Sequence, residues 1–356
     1  MNATSEKTAV ETTDHVDETF KYVPDIDPRY YVYGNFEKIL SIIESGKFYP
    51  IWITGLSGNG KTQMIEQACA RAGLPKQYYD NSLSNKEKTQ ILTDHIGKGR
   101  ELIRVNFTME TDENDLLGGF RLVNGDTEFH EGPVIEALRR GAVLLLDEVD
   151  VGHTNRIMCL QSVLEGKGVL LKATGEFVKP KAGFQVFATS NTRGRGSEDG
   201  KFIGTNIMNG AFLDRFAGMF FQDYPPAEIE DFILKRYFIS YHWSEKNKDD
   251  DIDADELKKA AVFIAKLCKW AAHIRESHKV GSVEEVITTR ALINIIQGYS
   301  IFNDAEMAIE LACERFDPAV KQGFLDIYQK YNGKSDNKKT KSDEGGLRDT
   351  GDHLTI

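Results

Sequence analysis

One segment of the chain places two glycines, separated by four residues, directly ahead of a lysine and a threonine. It reads Gly55-Leu56-Ser57-Gly58-Asn59-Gly60-Lys61-Thr62. The apolar run at residues 49–53 predicts a strand before it, and residues 63–72 predict a helix after it. Glycines let such a loop turn its backbone N–H groups inward, where the positive end of the following helix adds to their attraction for phosphate oxygens. The segment therefore predicts the phosphate-binding loop of a nucleotide site.

The side chains at the end of this loop have separate expected roles. Lys61 is expected to reach the β- and γ-phosphates of ATP, and Thr62 to hold Mg²⁺ through its hydroxyl. Gln63, at the start of the helix, completes the expected nucleotide-binding set. The competing interpretation is an ordinary Gly-rich turn, which the flanking strand and helix patterns disfavour.

Two acidic residues end a strongly apolar run. Residues 142–147 predict a buried strand that ends in Asp147, and Glu148 follows directly. A strand buried on both faces gains no packing from two carboxylates, whereas a magnesium ion and an attacking water both need them. We expect Asp147 to bind the water shell of the ion, and Glu148, on the opposite side of the pleat, to polarise the attacking water. The competing interpretation is a charged pair where the strand meets solvent.

Four arginines and one asparagine complete the candidate set. Asn191 follows the apolar run at residues 184–190 and is expected to position the attacking water or sense the γ-phosphate. Arg215, near the end of a predicted short helix, is the candidate arginine finger for a neighbouring subunit, and Arg193 and Arg195 are rival fingers. Arg290, at a predicted helix start, could reach the γ-phosphate from a lid domain. A salt bridge for Arg215 and a surface position for Arg290 are the competing interpretations.

Strand-like and helix-like runs alternate from residue 51 to residue 223, which predicts an α/β fold with a parallel sheet between helices. The predicted strands are residues 51–54, 102–107, 142–147, 184–190 and 219–222, so the sheet is five-stranded. Two hairpin insertions are predicted at residues 118–130 and 169–178, the first from an Asn-Gly turn between alternating runs.

The expected domains follow from changes in composition. Residues 1–20 predict a disordered lead, residues 21–224 the α/β nucleotide-binding domain, residues 225–332 a small all-helical lid domain, and residues 333–356 a disordered tail. The acidic segment 245–256 predicts a solvated loop, because Ala254 and Ala260 stand where a calcium loop needs Gly and Glu.

Composition restricts the classes of partner. A formal net charge of −11 disfavours a broad electrostatic grip on nucleic acid, so no nucleic-acid partner is expected. No run reaches membrane-spanning length, and no signal peptide is recognised. The four cysteines are widely spaced and predict reduced packing thiols, which favours a cytoplasmic location.

Taken together, these residues resemble the AAA+ ATPases. Gly55 to Thr62 matches Walker A, residues 143–148 match Walker B, Asn191 matches sensor 1, Arg215 the finger and Arg290 sensor 2. The two hairpins resemble those of the MoxR and dynein-related branch. Within that branch, the chain looks most like the ATPase subunit of aerobic cobaltochelatase over about residues 22–331. The segments that carry this resemblance are 23–28, 55–67, 147–150, 187–192, 204–206, 209–216 and 287–293.

The resemblance implies ATP and Mg²⁺ as cofactors and self-association into a ring, expected to be a hexamer. It also implies two partners, a subunit with a von Willebrand-type domain and a large chelatase subunit that inserts cobalt into a corrin ring. A MoxR-like chaperone that remodels another protein complex shares the whole active site and remains an alternative. A nucleic-acid motor and a scaffold that binds nucleotide without hydrolysis are two further alternatives.

Overall fold

The computed structural model describes residues 22–79, 83–196, 204–245 and 254–332. The predicted lead at residues 1–20, the predicted tail at residues 333–356 and residues 246–253 of the predicted acidic loop lie outside the described residues. The chain divides into two compact units between Pro225 and Pro226.

Within the described residues, the first unit contains a five-stranded parallel sheet in the order β2-β5-β8-β1-β9. Its strands are β1 (Ile51–Thr54), β2 (Leu102–Asn106), β5 (Val143–Asp147), β8 (Gln185–Ser190) and β9 (Gly218–Phe221). The predicted parallel five-stranded sheet is confirmed, with strand ends that differ from the predicted bounds by at most one residue. Its helices are α1 (Phe36–Ser45), α2 (Lys61–Arg71), α3 (Asn85–His95), α4 (Glu113–Leu117), α5 (Pro133–Arg140), α6 (Thr154–Ile157), α7 (Gln161–Leu164) and α8 (Gly210–Leu213).

Alternate residues of the central strands enter two different cores. Leu144 and Leu146 of β5 belong to the cluster that contains Val134 and Leu138 of α5. Val143 and Leu145 of the same strand belong to the cluster with α1 and α2. Because side chains of a strand point alternately to the two faces, the sheet is buried on both sides. This explains why residues 143–146 are continuously apolar.

Both predicted hairpins are present. Strands β3 (Gly118–Val123) and β4 (Asp126–Glu131) pair antiparallel, and so do β6 (Val169–Leu170) and β7 (Phe177–Val178). Asn124 and Gly125 between β3 and β4 both have positive φ, of 52° and 97°. Two successive residues of positive φ form the turn that suits the twist of a hairpin, which is why Asn-Gly predicts one.

In the described residues of the second unit, all secondary-structure elements are helices. It comprises α9 (Ala227–Glu245), α10 (Ala254–Lys279), α11 (Thr289–Phe302), α12 (Ala305–Cys313) and α13 (Pro318–Tyr331). Its core is a single cluster centred on Trp270 of α10, whose indole N–H donates to the carbonyl of Phe324 at 2.8 Å. No helix in the described part of the chain is both long and apolar enough to cross a membrane.

A buried ion pair joins three segments of the helical unit. Glu230 of α9 accepts two hydrogen bonds from the guanidinium of Arg275 in α10, each of 2.9 Å. Arg275 also donates to the carbonyl of Ile287 at 2.8 Å, and the hydroxyl of Thr289 donates to Glu230 at 2.6 Å. The pair therefore fixes the start of α11, where Arg290 is located. Burial removes both charged groups from water, and the free-energy cost of that desolvation is offset only when the two charges are paired in this way.

Replacing Glu230 by glutamine is expected to lower the free energy of unfolding of the helical unit by about 3 kcal/mol, since it leaves the Arg275 guanidinium buried without its opposite charge. Urea denaturation followed by circular dichroism measures this loss. Asp231→Asn is the matched control, because the neighbouring Asp231 forms only a surface pair with Lys235 and should cost less than about 1 kcal/mol. Equal losses in the two variants would contradict the assignment.

Candidate active site

Three adjacent strands bring the candidate residues to one edge of the sheet. Strand β8 lies between β5 and β1, with Leu146 opposite Ala188 and Thr54 opposite Ser190. Because the strands are parallel, the segments that follow all three leave the sheet at its carboxyl edge, where α/β proteins bind ligands. The segment after β1 begins with the Gly-rich loop, and the segment after β8 begins with Asn191.

The glycines of the loop are required by its backbone. Gly55, Gly58 and Gly60 have φ of 153°, 69° and 81°, values that residues with a Cβ rarely adopt. A Cβ on Gly55 would also collide with the carbonyl oxygen of Gln222, and one on Gly60 would lie 2.6 Å from the hydroxyl of Tyr33. The loop is therefore both curved and tightly enclosed.

Side chains from outside the loop hold its carbonyl groups. Tyr33 donates to the carbonyl of Asn59 at 2.5 Å, and Tyr224 donates to the carbonyl of Ser57 at 2.8 Å. The Asn59 amide in turn donates to the carbonyl of Gln222 at 2.5 Å. The two tyrosines thus hold loop carbonyl oxygens and fix the shape of the loop. Sequence reasoning missed Tyr33, Tyr224 and Gln222, because no motif marks a residue that contacts the loop from a distant segment.

Lys61 is buried at the mouth of the loop. Its ammonium group donates to the carbonyls of Gly55 and Leu56 at 2.6 and 3.0 Å, and to the Asn191 amide oxygen at 3.1 Å. The lysine therefore connects the loop after β1 with the segment after β8. The side chain of Gln63 instead donates to Asp27 at 3.3 Å.

Asp147 lies at the end of β5 with a side chain that is 5% exposed. Its Oδ1 accepts from the hydroxyl of Thr62 at 2.9 Å and from the hydroxyl of Thr189. Its Oδ2 accepts from the guanidinium of Arg104 at 2.5 Å, and Arg104 also contacts Glu66 at 3.3 Å. Partial burial raises the pKa of Glu66, and the charge of Arg104 counteracts that rise. Sequence reasoning missed Thr189, Arg104 and Glu66, which lie within apolar or helical patterns that carry no motif.

Glu148 is not part of the pleat. Strand β5 ends at Asp147, and Glu148 adopts a left-handed conformation with φ of 56° and ψ of 41°. The expectation that it lies on the opposite side of the pleat is therefore wrong, because the chain turns before it. Its backbone N–H donates to the Thr189 hydroxyl at 3.0 Å, and its side chain is exposed. A non-glycine residue in this conformation is strained, and such strain persists mainly at functional sites.

A buried acid fixes the segment that carries Asn191. Asp150 accepts hydrogen bonds at one carboxylate oxygen from the backbone N–H groups of Asn191 and Thr192, at 3.2 and 3.0 Å, and from the Thr192 hydroxyl at 2.8 Å. Burial raises the pKa of Asp150, and these hydrogen bonds counteract it. Asp150 thereby places the Asn191 side chain beside Lys61. The sequence signal that could have identified Asp150 is its position, as an acidic residue three positions after Asp147.

The four candidate arginines have different local surroundings. Arg215 contacts Glu165 at 3.0 Å, which is the salt bridge of the competing interpretation. Arg193 and Arg195 are exposed in the segment after Asn191, and Arg193 lies over the ring of Phe221 at 5.9 Å. Arg290 is exposed at the second position of α11 in the helical unit.

The donor set fits a magnesium nucleotide. A Gly-rich loop of curved backbone, the start of helix α2 and the Lys61 ammonium together form the combination that a polyphosphate requires. The Thr62 hydroxyl donates its proton to Asp147, which leaves its oxygen lone pairs free for a hard cation such as Mg²⁺. Lys61 and Thr62, which are adjacent in α2, are therefore suited to contact the anionic phosphate and the divalent cation, respectively.

Several known proteins are similar to this chain. The family model for the AAA domain (dynein-related subfamily) matches residues 50–216. The aerobic cobaltochelatase subunit CobS of Sinorhizobium sp is 26% identical over 314 residues, which cover 84% of this chain and 80% of that protein. An uncharacterized protein of Staphylococcus saprophyticus is 30% identical over 224 residues, which cover 61% of this chain and 73% of that protein. The crystal structure of NtrX from Brucella abortus has a TM-score of 0.47 and 17% identity, and covers 77% of this chain and 52% of that one.

Proposed function

The chain belongs to the dynein-related subfamily of AAA ATPases, and from that premise we propose that it is a ring motor whose ATP hydrolysis drives cobalt insertion into a corrin ring by a partner chelatase subunit. The observation that carries this proposal is the similarity to a cobaltochelatase subunit over 84% of this chain and 80% of that protein. It extends beyond the matched AAA domain at residues 50–216 into the helical unit. The proposed partners are a subunit with a von Willebrand-type domain and a large chelatase subunit, and the proposed location is the cytoplasm.

In this proposal the loop residues bind ATP and Mg²⁺. The backbone of Gly55 to Thr62 would bind the phosphates, and the Lys61 ammonium, which now donates to the Gly55 and Leu56 carbonyls, would donate to phosphate oxygens instead. Thr62 and Asp147 would hold the magnesium ion. When bound, the ion neutralises charge on the phosphates.

The residues at the strand ends act on the attacking water. The Glu148 carboxylate accepts a proton from that water as it attacks the γ-phosphate, which yields ADP and phosphate. Asn191, held by Asp150 beside Lys61, orients the water or the γ-phosphate. Arg215 acts as the finger on the nucleotide of a neighbouring subunit, and Arg290 contributes to nucleotide binding from the helical unit.

A second candidate function is a MoxR-like chaperone that remodels another protein complex. The hairpin of β3 and β4 favours it, because Phe120 and Leu122 are 59% and 76% exposed there. Adjacent apolar side chains exposed on a hairpin suit contact with a protein surface. Both functions use the same hydrolytic residues, so only partners separate them.

The variant Glu148→Gln is expected to lower kcat for ATP hydrolysis by at least about 100-fold, because an amide cannot accept the proton of the attacking water. Binding of ATP should remain, since Lys61 and the loop are unchanged. Phosphate release and binding of a fluorescent ATP analogue measure the two properties. Glu110→Gln, at another exposed glutamate of the same unit, is the control and should hydrolyse ATP at the normal rate. Unchanged turnover in Glu148→Gln removes Glu148 from this role.

Mixing Arg215→Ala with Lys61→Ala subunits tests the finger. Each variant alone should be inactive, and a finger can contribute about 10³-fold or more to kcat. If Arg215 acts on a neighbour, mixed rings contain some sites with both an intact Lys61 and an intact Arg215, so ATPase activity should partly return. No recovery in mixed rings means that Arg215 serves its own chain, for instance through its contact with Glu165.

Reconstitution distinguishes the two candidate functions. The protein is combined with the von Willebrand-type and large chelatase subunits, a cobalt salt, a corrin ring and ATP, and cobalt incorporation is followed by absorbance. Incorporation that requires ATP and fails with Glu148→Gln supports the chelatase motor. ATPase activity stimulated by the von Willebrand-type subunit, without incorporation, favours the chaperone.

A further inference from the structure

Arg104 lies next to the proposed metal-binding residues, and the proposed mechanism gives it no role. It lies on β2 beside β5, where it is opposite Leu145 and two residues before Asn106, the partner of Asp147. Its guanidinium reaches Asp147 at 2.5 Å and Glu66 at 3.3 Å. Arg104 therefore bridges two carboxylates that come from different elements, the end of β5 and helix α2.

The two bridged elements each provide one proposed magnesium contact. Glu66 follows Thr62 by one helical turn in α2, so the two side chains share a face of that helix. Asp147 ends β5. By contacting both Glu66 and Asp147, Arg104 ties the face of α2 that carries Thr62 to the strand that carries Asp147.

Arg104 also fixes the rotation of the Asp147 carboxylate. The terminal torsion of an aspartate is soft, so its two oxygens exchange easily unless hydrogen bonds distinguish them. Here Oδ1 faces the hydroxyls of Thr62 and Thr189, and Oδ2 faces Arg104. Without the guanidinium, Oδ2 of Asp147 would lose its hydrogen-bond partner. The orientation of the carboxylate toward Thr62 would then be held only by the hydroxyl groups on its other side.

The contact of Arg104 with Glu66 and Asp147 also balances charge near the proposed metal site. A lone guanidinium beside a magnesium site would repel the ion. Glu66 offsets that charge, so that one positive and two negative groups leave one net negative charge for the metal. The burial of the Asp147 carboxylate, which is 5% exposed, distinguishes the arrangement from an ion pair between two exposed side chains, which contributes little.

We propose that Arg104 is a positioning residue for the Mg²⁺ of the nucleotide site, held by Glu66 and acting through Asp147. The inference rests on the proposed ATPase function and adds a determinant of metal affinity to it. Partners that orient a metal-binding residue typically change metal affinity by 10-fold or more when they are removed.

The test measures metal binding directly. Mn²⁺ replaces Mg²⁺, and the signal of free Mn²⁺ in electron paramagnetic resonance reports binding to the full chain with saturating ADP. Arg104→Gln is expected to raise the Mn²⁺ dissociation constant about 10-fold. Binding of fluorescent ADP in EDTA should stay within about 2-fold, because Arg104 does not contact the loop. Arg104→Lys keeps the charge but lacks the fork that spans two carboxylates, so an intermediate constant is expected.

Arg139→Gln is the matched control. Arg139 also bridges two carboxylates, Glu131 and Glu176, and its side chain is 38% exposed against 41% for Arg104. Its loss should leave the Mn²⁺ constant unchanged. Should Arg104→Gln fail to fold, Arg104→Lys carries the test with the same direction of change.

Two outcomes overturn the inference, and they are distinguishable. If the wild-type protein binds Mn²⁺–ADP and Arg104→Gln binds Mn²⁺ equally or more tightly, the positioning role is wrong while the ATPase proposal stands. If the wild-type protein does not bind Mn²⁺ with ADP, the proposed function fails and the role of Arg104 fails with it.

Discussion

The hydrogen bond between Thr62 and Asp147 is the contact on which the rest of the site depends. It joins two residues that are 85 positions apart, and it exists only because β5 and β1 flank β8 in one parallel sheet. That order is stabilised by apolar side chains on both faces of the sheet. The positions of the side chains at the carboxyl edge therefore depend on the apolar packing of the two faces of the sheet.

Two kinds of local constraint shape this edge, where we propose that an anion and an attacking water bind. The loop glycines adopt backbone conformations that other residues rarely adopt, while tyrosines from two distant segments donate hydrogen bonds to the loop carbonyls. Glu148 is held in a left-handed conformation that places it outside the strand. Both features cost conformational energy, and the packed sheet supplies the rigidity that maintains them.

Sequence reasoning predicted the parts of the fold that are encoded locally. Continuous apolar runs predict the five parallel strands, and Asn124-Gly125 predicts a hairpin from the turn alone. The loop, Asp147 and Asn191 could be selected as candidate site residues because their spacing relative to strands is itself informative. Tyr33, Arg104 and Thr189 were missed, since their importance arises only when the topology brings distant segments together. The turn at Glu148 was missed because alternation along a strand does not reveal where the strand ends.

The same reasoning explains why chemistry is easier to infer than biological role. Residues that hold phosphate and magnesium must satisfy fixed distances and charges, so they recur at the same positions along the chain. Residues that contact a partner need only present a suitable surface, such as Phe120 and Leu122 on the hairpin of β3 and β4. Many surfaces meet that condition. A chelatase motor and a chaperone can therefore share every residue around Lys61 and differ only in what the exposed hairpin and the helical unit contact.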